Sequence, residues 1–507
     1  MGIRLAISLA LLMWHSVAHA VSFTVTNTED AGPGSLRQAL INASNGGTNT
    51  ILISATGTIA LASPLPMASG TLTISGPGAD KLTIQGSPGP APVLSSTATL
   101  QVSGVTITGG ANAAGNGGGI QVMGGSLTLL NSTITGNTAA LGGGIYSTVG
   151  SLTILSSTIS GNTGTGAIYS GNDISVFDST IADNQGTAII STTAGSILSI
   201  DRSTISGNTD AAGIGGIQLQ GGTANIRNTT FSGNSGPQGG DFWTSSDGVS
   251  LKLINVTAIG GSAPALLFDH AATVMLRNTL LAGTGTRCSA GHLPTSQGHN
   301  LSSDTTCNLT QTTDKPGVDP LLGPLAANGG PSKTHAPLAG SPVLNAGDGA
   351  GLETTDQRGV PRIQFAAVDI GAVEVSEPMV VTQPMPQTVA EGDMFTLSVA
   401  AMNQNSTTPL KYQWRKDGTA IAGATGATFT NPAAAPEDAG MYDVLVINDG
   451  GGLPSMAVAV NVTPAPKPEP ASGGCCSSTA DGAAWTDAVL GLGLVALLGV
   501  PRRRRAR

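Results

Sequence analysis

The sequence has little charge and few aromatic side chains for a chain of 507 residues. Only 10% of the residues are Asp, Glu, Lys or Arg and only 3% are Phe, Trp or Tyr, whereas glycine occurs 72 times. This composition is typical of a β-rich, turn-rich chain rather than a helical one, and the length predicts two or more domains. The formal net charge of -9 gives a surface that repels phosphate, so nucleic acid is not an expected partner.

Cysteine is scarce as well. Between Ala20 and Gly474 the chain has only Cys288 and Cys307. Because the chain begins with an export signal, as described next, we predict that these two residues form a disulfide; two free buried thiols are the alternative. The sequence also lacks a phosphate-binding loop, and it has no Gly-x-Ser-x-Gly motif beside a suitable histidine and acid.

The first 20 residues have the pattern of a secretory signal peptide. A lone Arg4 precedes an apolar run at residues 5–14, and the segment ends in Ala18-His19-Ala20. This order of basic, apolar and small residues predicts cleavage after Ala20. The mature, secreted chain is therefore expected to begin near Val21.

The other end combines a stalk, a short motif and an apolar segment. Residues 464–474 form a Pro-rich linker, and residues 475–507 contain an apolar run at 488–500 followed by arginines. The run is short for a self-sufficient transmembrane helix, and the arginines would stay cytoplasmic. The tail resembles bacterial C-terminal sorting signals of the GlyGly and myxosortase kinds, with these residues at the motif position: Gly473, Gly474, Cys475 and Cys476.

This resemblance implies that a membrane protease cuts the tail near the motif and that the protein is delivered to the cell surface or outer membrane of a bacterium. A permanent single-pass anchor is the alternative. In both cases the membrane is an expected partner.

The middle of the sequence is repetitive. The heptapeptide STISGNT occurs at residues 157–163 and again at 203–209, and related segments recur with a period near 25 residues. Alternating apolar residues within each period have the spacing of strands with one buried face. Three short strands per turn, stacked turn upon turn, predict a parallel β-helix, which is a solenoid.

Stacking should align equivalent residues of neighbouring turns in columns about 4.8 Å apart. We predict a column of isoleucines inside and a ladder of asparagines at a bend. Asparagine tolerates the left-handed conformation that a sharp bend needs, and its amide can bond to the amides above and below. A ligand-contact role for this ladder is the alternative. The ladder consists of Asn137, Asn162, Asn184, Asn208 and Asn234.

The predicted solenoid occupies residues 21–374. An amphipathic helix at residues 35–43, with Ser35 as its N-cap and Leu36, Leu40 and Ile41 on its apolar face, would cover the N-terminal end. Residues 288–374 would close the other end. The phrases FTVTNTEDAGPGSLRQAL, GVDPLLGPLAANGGPSKTHAPLAGSPVLNAGDG, DQRGVPR and AVDIGAVE resemble secreted right-handed β-helix proteins with a choice-of-anchor closing region and repeats like those of polymorphic outer-membrane proteins. The resemblance implies this fold and a surface location.

Residues 378–463 resemble an immunoglobulin-like (Ig-like) β-sandwich. Trp414 would be the buried tryptophan of the third strand, and Tyr442 would form the tyrosine corner. Val399 and Val444 occupy the places of the two usual cysteines, so the contact between the sheets would be apolar. This domain would be a binding module or a spacer, and its place before the Pro-rich linker favours the spacer.

One cluster of charged residues is the best candidate for catalysis on the solenoid. Stacking would place Asp178 beside Arg202 and Asp201 beside Arg227, and such arrangements are more typical of surface ion pairs than of an acid and a base. The cluster consists of Asp178, Asp183, Asp201, Arg202 and Arg227.

Three further motifs are weaker candidates. Asn208-Thr209-Asp210 resembles a fragment of the polygalacturonase signature, without the adjacent Asp pair or the Gly-His-Gly that belong to it. His292 and His299 lack the spacing of metal ligands. Asp356-Gln357-Arg358-Gly359 is typical of a structural turn with a contact between its Asp and its Arg.

We therefore predict an all-β protein: a right-handed parallel β-helix, an Ig-like sandwich and a C-terminal membrane or sorting helix. The expected role is non-catalytic, without cofactor or metal: surface-anchored adhesion, or binding of a glycan or another cell-surface ligand. A structural envelope protein without a ligand is one alternative. A polysaccharide lyase or glycoside hydrolase on the same fold is the other, and an acidic cleft would favour it.

Overall fold

The computed structural model describes residues 21–465 apart from short gaps. The predicted signal peptide with Ala20, most of the Pro-rich linker and the sorting segment with Gly473, Gly474, Cys475 and Cys476 lie outside the described residues. Among the residues described, no helix is both long and apolar enough to cross a membrane. The gaps are residues 45–46, 262, 269, 290, 339, 351–352, 363–366, 376–377, 404–408 and 449–450.

Three parallel sheets form the solenoid, and each turn contributes up to one strand to each sheet. The twelve strands of the first sheet are Val21–Val25, Thr48–Ile53, Thr71–Ser75, Leu100–Ser103, Leu127–Leu130, Leu152–Leu155, Ile174–Phe177, Ile197–Asp201, Thr223–Arg227, Ser250–Ile254, Thr273–Arg277 and Thr295–Ser296. The twelve strands of the second sheet are Gly57–Ala60, Leu82–Gln85, Thr106–Thr108, Thr133–Thr135, Thr158–Ser160, Thr180–Ala182, Thr204–Ser206, Thr230–Ser232, Thr257–Gly260, Leu280–Gly283, Leu301–Ser302 and Lys315–Pro316.

The third sheet is shorter. Its eight strands are Leu94–Ser96, Ile120–Val122, Ile145–Ser147, Ile168–Ser170, Ile189–Ser191, Ile217–Leu219, Phe242–Thr244 and Leu266–Phe268. A small fourth sheet lies at the corner between the second and third sheets, and its strands are Ala111–Asn116, Thr138–Leu141 and Thr163–Thr165. Each copy of the repeated Thr-Ile-Ser triplet therefore forms one strand of the second sheet, at Thr158–Ser160 and Thr204–Ser206.

Side-chain alternation explains why the turns stack. In each second-sheet strand the central residue points inward, so that Ile134 lies opposite Ile107 and Ile159 in register and is fully buried. Glycines allow close approach at the corner before the third sheet. A Cβ at Gly118 would lie 2.4 Å from the carbonyl oxygen of Gly143, so a side chain there would push the two turns apart.

An α-helix, Leu36–Ala43, packs on the first turns. Ser35 is its N-cap, and the Ser35 hydroxyl accepts a hydrogen bond from the backbone of Gln38 at 3.2 Å. The helix buries Leu36 and Leu40, as expected, but Ile41 is 48% exposed. At 100° per residue Ile41 lies far around the helix from Leu36, and the alanines Ala39 and Ala43 complete the buried face instead.

The end of the solenoid contains the disulfide and a segment that folds back. Cys288 and Cys307 are joined with an S–S distance of 2.09 Å. The closing segment, residues 318–375, contains an antiparallel pair of strands, Leu322–Ala326 and Thr334–Pro337. It lies along the outer face of the second sheet, where Val343 and Ile370 bury Leu280. It therefore covers the side of the solenoid from the turn of Thr204 to the turn of Leu280.

A buried charged cluster holds the closing segment together. Arg362 is fully buried and donates to Oδ1 of Asn228, on the solenoid, at 2.8 Å and to the carbonyl of Gly371 at 3.0 Å. Its Nη1 lies 3.6 Å from Oε2 of Glu374. Oε2 of Glu374 accepts from the backbone of Asp369 at 2.9 Å. Burial raises the pKa of the Asp369 and Glu374 carboxyls.

Residues 378–465 form the Ig-like sandwich. Trp414 is fully buried and donates from Nε1 to the carbonyl of Gly426 at 3.0 Å; the hydroxyl of Tyr442 donates to the carbonyl of Asp438 at 2.8 Å, as in a tyrosine corner. Burial raises the pKa of Tyr442 to about 12. The strands are Met379–Thr382, Gln387–Ala390, Phe395–Ser398, Ala400–Met402, Lys411–Lys416, Thr419–Ala420, Thr428–Asn431, Gly440–Asn448, Gly451–Pro454 and Val458–Thr463, with a 3₁₀ helix at Pro436–Asp438.

Val399 and Val444 belong to the apolar core of this sandwich. Val444 is fully buried and Val399 nearly so. Both positions therefore carry an apolar side chain in the core.

Candidate functional site

The five predicted asparagines form one continuous column inside the solenoid. Each side chain is 0 to 1% exposed. The Nδ2 of Asn137, Asn162, Asn184 and Asn208 donates to the Oδ1 of the next asparagine at 2.8 to 3.0 Å. The same Oδ1 atoms also accept from the backbone N–H of the preceding asparagine at 2.9 to 3.2 Å. Every amide is satisfied within the protein, so the ladder cannot serve as a ligand surface.

The backbone at this bend differs from the prediction. The left-handed residue is the one before each asparagine, as at Gly136, Gly161 and Gly207, with φ of 61 to 63°. Asp183 takes this place before Asn184, with φ of 55°. The asparagine itself keeps an ordinary φ because its side chain must point into the core, and the residue before it makes the turn.

A second polar column, which the sequence analysis missed, lies at the corner between the first and second sheets. The backbone N–H of Ser132 donates to Oγ of Ser157 at 3.1 Å, and the same contact links Ser157 to Ser179 and Ser179 to Ser203 at 3.1 and 3.2 Å. The signal was present in the repeated dipeptides Asn-Ser, Ser-Ser, Asp-Ser and Arg-Ser. The first residue of each dipeptide has a positive φ of 47 to 50°.

The asparagine ladder ends on a buried carboxylate. Asn234 donates from Nδ2 to Oδ1 of Asp241 at 3.0 Å, and Oδ2 of Asp241 has no hydrogen-bond partner among the described residues. Burial raises the pKa of Asp241 to about 6, although the bond from Asn234 and the charge of Arg287 oppose the shift. Arg287, also fully buried, donates to the carbonyl oxygens of Ala282 and Gly285 at 2.9 and 2.8 Å.

The charged cluster proposed for catalysis is only partly assembled. Arg202 binds Asp178 through two hydrogen bonds of 2.8 and 2.9 Å, as stacking predicts. Asp201 and Arg227 are neighbours in strand register. The predicted pairing of their side chains is wrong, since Asp201 binds Arg202 at 3.2 Å and Arg227 binds Glu353 of the closing segment. The sequence could not show this, because Glu353 lies far along the chain.

Asp183 lies at a different corner and does not join this cluster. Of the remaining residues, Asp201 and Arg227 line a small cleft of about 370 Å³, together with Glu353 of the closing segment. Burial raises the pKa of Asp201, and bonds from Asn228 and the charge of Arg202 oppose the shift. The cleft thus holds two carboxyls and an arginine.

A larger depression, the corner groove, crosses the turns where the second sheet leads into the third. Its volume is about 910 Å³, and its lining includes Thr163, Thr165, Asp183, Gln185, Thr209 and Asp210. The groove forms because the connection between the two sheets shortens to residues 183–188 and lengthens to residues 207–216 in the next turn. The charged side chains among its lining residues are two carboxylates.

The other candidate motifs have structural partners. In Asn208-Thr209-Asp210, Asn208 belongs to the ladder and Asp210 accepts from the hydroxyl of Thr187 at 2.9 Å. His292 is exposed, and Nδ1 of His299 hydrogen bonds to the carbonyl of Ala346 at 2.8 Å. In the described part of the chain no three His, Cys, Asp or Glu side chains group as a metal site.

The turn at residues 356–359 docks the closing segment on the solenoid. Arg358 donates to Asp356 at 2.9 Å, which is the contact expected from the sequence. Gln357 also bonds to Thr204 and Thr230 of the second sheet at 2.9 and 2.6 Å. No local sequence pattern predicts this second contact, because the partners are far apart in the chain.

The solenoid is a right-handed β-helix in an all-β chain, and an Ig-like domain follows it. Residues 92–258 and 143–301 match the family described as "Right handed beta helix region", which occurs in both enzymes and non-enzymes, and residues 378–462 match "Immunoglobulin domain". These matches agree with the predicted domain types.

A short stretch is similar to the decoration protein of Escherichia phage T5, with 47% identity over 77 residues. The match covers 15% of this chain and 46% of the phage protein, so the chain spans less than half of that relative. Two solved structures are also similar. The tandem Ig repeats of Dlar are 17% identical over 17% of this chain and 49% of theirs; the titin M10–obscurin-like 1 Ig complex is 29% identical over 18% and 99%. Both TM-scores are 0.16, too low to support an argument.

Proposed function

We propose that this is a secreted, surface-displayed binding protein whose β-helix captures a glycan in the corner groove. The observation that carries the proposal is the groove itself, a depression of about 910 Å³ that crosses neighbouring turns of the solenoid. Its lining is mostly uncharged and combines alanine and glycine with threonine and glutamine side chains that can donate to and accept from sugar hydroxyls.

The two ends of the sequence support display at a surface. The signal-like first 20 residues would export the chain, and the motif at Gly473, Gly474, Cys475 and Cys476 would direct it to a bacterial cell surface through the membrane. The Ig-like domain and the Pro-rich linker would then act as a spacer. A stretch of similarity to a phage decoration protein is compatible with a role at a surface.

The test is a retention and turnover assay of the full secreted chain on neutral and acidic polysaccharides. Retention without the release of new reducing or unsaturated ends supports a binding protein. Gln185→Ala and Thr209→Ala should each weaken retention several-fold, because each removes a groove hydrogen bond worth about 1 kcal/mol. Gln101→Ala is the matched control, because the exposed Gln101 lies on the outer face of the first sheet, away from the groove and the cleft. Absence of retention on every polysaccharide would instead favour a structural envelope protein.

A glycoside-cleaving enzyme is the second candidate, and the cleft with Asp201 and Glu353 favours it. A carboxyl with a raised pKa near a second carboxylate can act as an acid beside a base or nucleophile. Arg227 neutralises Glu353, which argues against that role. Product release that disappears in both Asp201→Asn and Glu353→Gln would establish the enzyme and overturn the binding protein.

A further inference from the structure

The tyrosines and the tryptophan of the solenoid all lie on the third sheet. Between residues 21 and 374 the sequence has Tyr146, Tyr169 and Trp243 and no other tyrosine or tryptophan. All three are the central residue of a third-sheet strand whose two flanking residues are buried, so all three point outward. In a chain with 3% aromatic residues, such a concentration on the outside of one sheet requires an explanation other than core packing.

Tyr146 and Tyr169 occupy neighbouring turns and form a stacked pair, here called the tyrosine pair. Their ring centroids are 5.6 Å apart and the ring planes differ by 17°. In strand register, Gln121 lies on one side of the pair and Ile190 on the other. Neither phenol hydroxyl hydrogen bonds to another described residue, and both tyrosines are half-buried on the outer face of the sheet. The pair thus presents two apolar rings and two hydroxyls that can donate and accept.

Depressions flank the tyrosine pair on both sides. In one turn, the chain runs from Ala139 and Ala140 in the corner groove through Tyr146 to Gly150 and Ser151. Those last two residues line a second depression of about 400 Å³.

The next turn repeats this arrangement. It runs from Thr163 and Thr165 in the corner groove through Tyr169 to Asn172 and Asp173 in the second depression. The tyrosine pair is therefore the middle of a surface that is two turns wide and extends along the strand direction, at right angles to the stacking direction.

We propose that this surface binds a chain of uncharged sugars that runs along the strand direction, with its central units on the tyrosine pair and its ends in the two depressions. This inference rests on the proposed function and names its ligand class. The apolar rings would pack on the C–H faces of the sugars, and the phenols would bond to sugar hydroxyls. The charged lining residues of the depressions are Asp173, Asp183 and Asp210, which disfavour uronic acids by like-charge repulsion.

The test measures binding of the full secreted chain to soluble cellohexaose, mannohexaose and N-acetylchitohexaose, with hexagalacturonate as an acidic probe of equal length. The double variant Tyr146→Phe and Tyr169→Phe keeps the ring stack and should bind the neutral probe about tenfold more weakly, because two hydroxyl contacts are lost. Replacement of both by Ala should weaken binding about 100-fold. Tyr412→Phe in the Ig-like domain and Thr153→Ala on the first sheet are controls that should bind as the parent does.

The outcomes separate this inference from the proposed function. A neutral probe that binds the tyrosine variants as tightly as the parent leaves the glycan-binding function standing and overturns the assignment of the tyrosine pair. Tighter binding of hexagalacturonate than of every neutral probe overturns the ligand class. If no probe binds and no polysaccharide retains the chain, both proposals fail. Weaker binding in both tyrosine variants, with an unchanged melting temperature of the Phe variant and unchanged binding by the controls, supports the inference.

Discussion

Two buried polar systems of the solenoid solve the same problem in different ways. The asparagine ladder is neutral and repeats from turn to turn, so that each amide bonds to an identical neighbour. The charged cluster around Arg362 in the closing segment occurs once and joins groups of opposite sign. The comparison shows that repetition can satisfy buried polar groups without charge, whereas a unique junction uses ions and bears their desolvation cost.

The largest effect should come from breaking the charged cluster. Arg362→Met removes the donor to Asn228 and Gly371 and leaves the buried carboxyls of Asp369 and Glu374 without a cation in contact. We expect a loss of about 3 to 5 kcal/mol in the free energy of unfolding of the closing segment, measured by urea denaturation and by its protease sensitivity. Arg277→Met is the control, because Arg277 binds Asp348 of the same segment where water has access.

The control should lose no more than about 1 kcal/mol. Equal losses in the two variants would mean that burial does not distinguish the Arg362 cluster from the Arg277–Asp348 pair. The cost assigned to buried ions would then be wrong.

The second-largest effect on stability should come from Asp241, the buried carboxyl on which the neutral asparagine ladder ends. Its pKa is raised to about 6 in the folded protein against about 4 when unfolded, so the folded state binds the proton more tightly. This contribution to stability is complete below about pH 4 and is lost as the pH rises through 6, by about 3 kcal/mol in total. Asp241→Asn should remove this pH dependence, as seen in the difference between the variant and parent unfolding curves from pH 4 to 8.

Asparagine at this position would also extend the ladder by one amide, and Arg287 would keep its carbonyl partners. The variant should therefore match the parent near pH 4 and exceed it at pH 8. A parallel pH dependence in the two proteins would show that Asp241 is not the titrating group.

Removal of one amide from the ladder should have a somewhat smaller effect. Asn184→Ala leaves the backbone N–H of Asn162 and the amide of Asn162 without their acceptor, and it opens a small cavity. We expect a loss of about 2 kcal/mol in the free energy of unfolding. Asn225→Ala is the matched control because Asn225 lies on the outer face of the first sheet and is half-buried. A control as destabilised as the variant would contradict the role given to the ladder.

The contrast between repeating contacts and contacts that occur once also explains which features of the solenoid can be predicted from the sequence. The period of about 25 residues made the isoleucine and asparagine columns visible, since each repeat shows the same residue at the same place. The serine column was equally periodic and was missed only because its partner is a backbone N–H. Some contacts occur once and join residues more than 100 positions apart, as those of Gln357, Glu353 and Arg362 do. No local sequence pattern predicts such contacts.

The proposed sugar-binding surface is intermediate between the repeating columns and the contacts that occur once. The groove follows from the short interval between repeats, which the sequence shows, but its shape depends on how long the neighbouring connections are. Tyr146 and Tyr169 belong to the same Ile-Tyr-Ser triplet in two successive repeats. That repetition was present in the sequence, but only the structure shows that the tyrosines point outward.

The smallest effect is expected where a repeating column reaches water. Arg202 pairs with Asp178 on the surface, with 31% and 28% of the side chains exposed, and such pairs contribute less than about 1 kcal/mol. Arg202 also has a positive φ of 47°, at the corner where Asn131, Asn228 and Asn255 stand in other turns. Arg202→Asn loses the ion pair but suits the left-handed backbone, so the two effects should cancel to within about 0.5 kcal/mol in thermal unfolding. A large loss would show that the surface pair stabilises the solenoid as the buried cluster does, and water would then not be the cause of the difference between them.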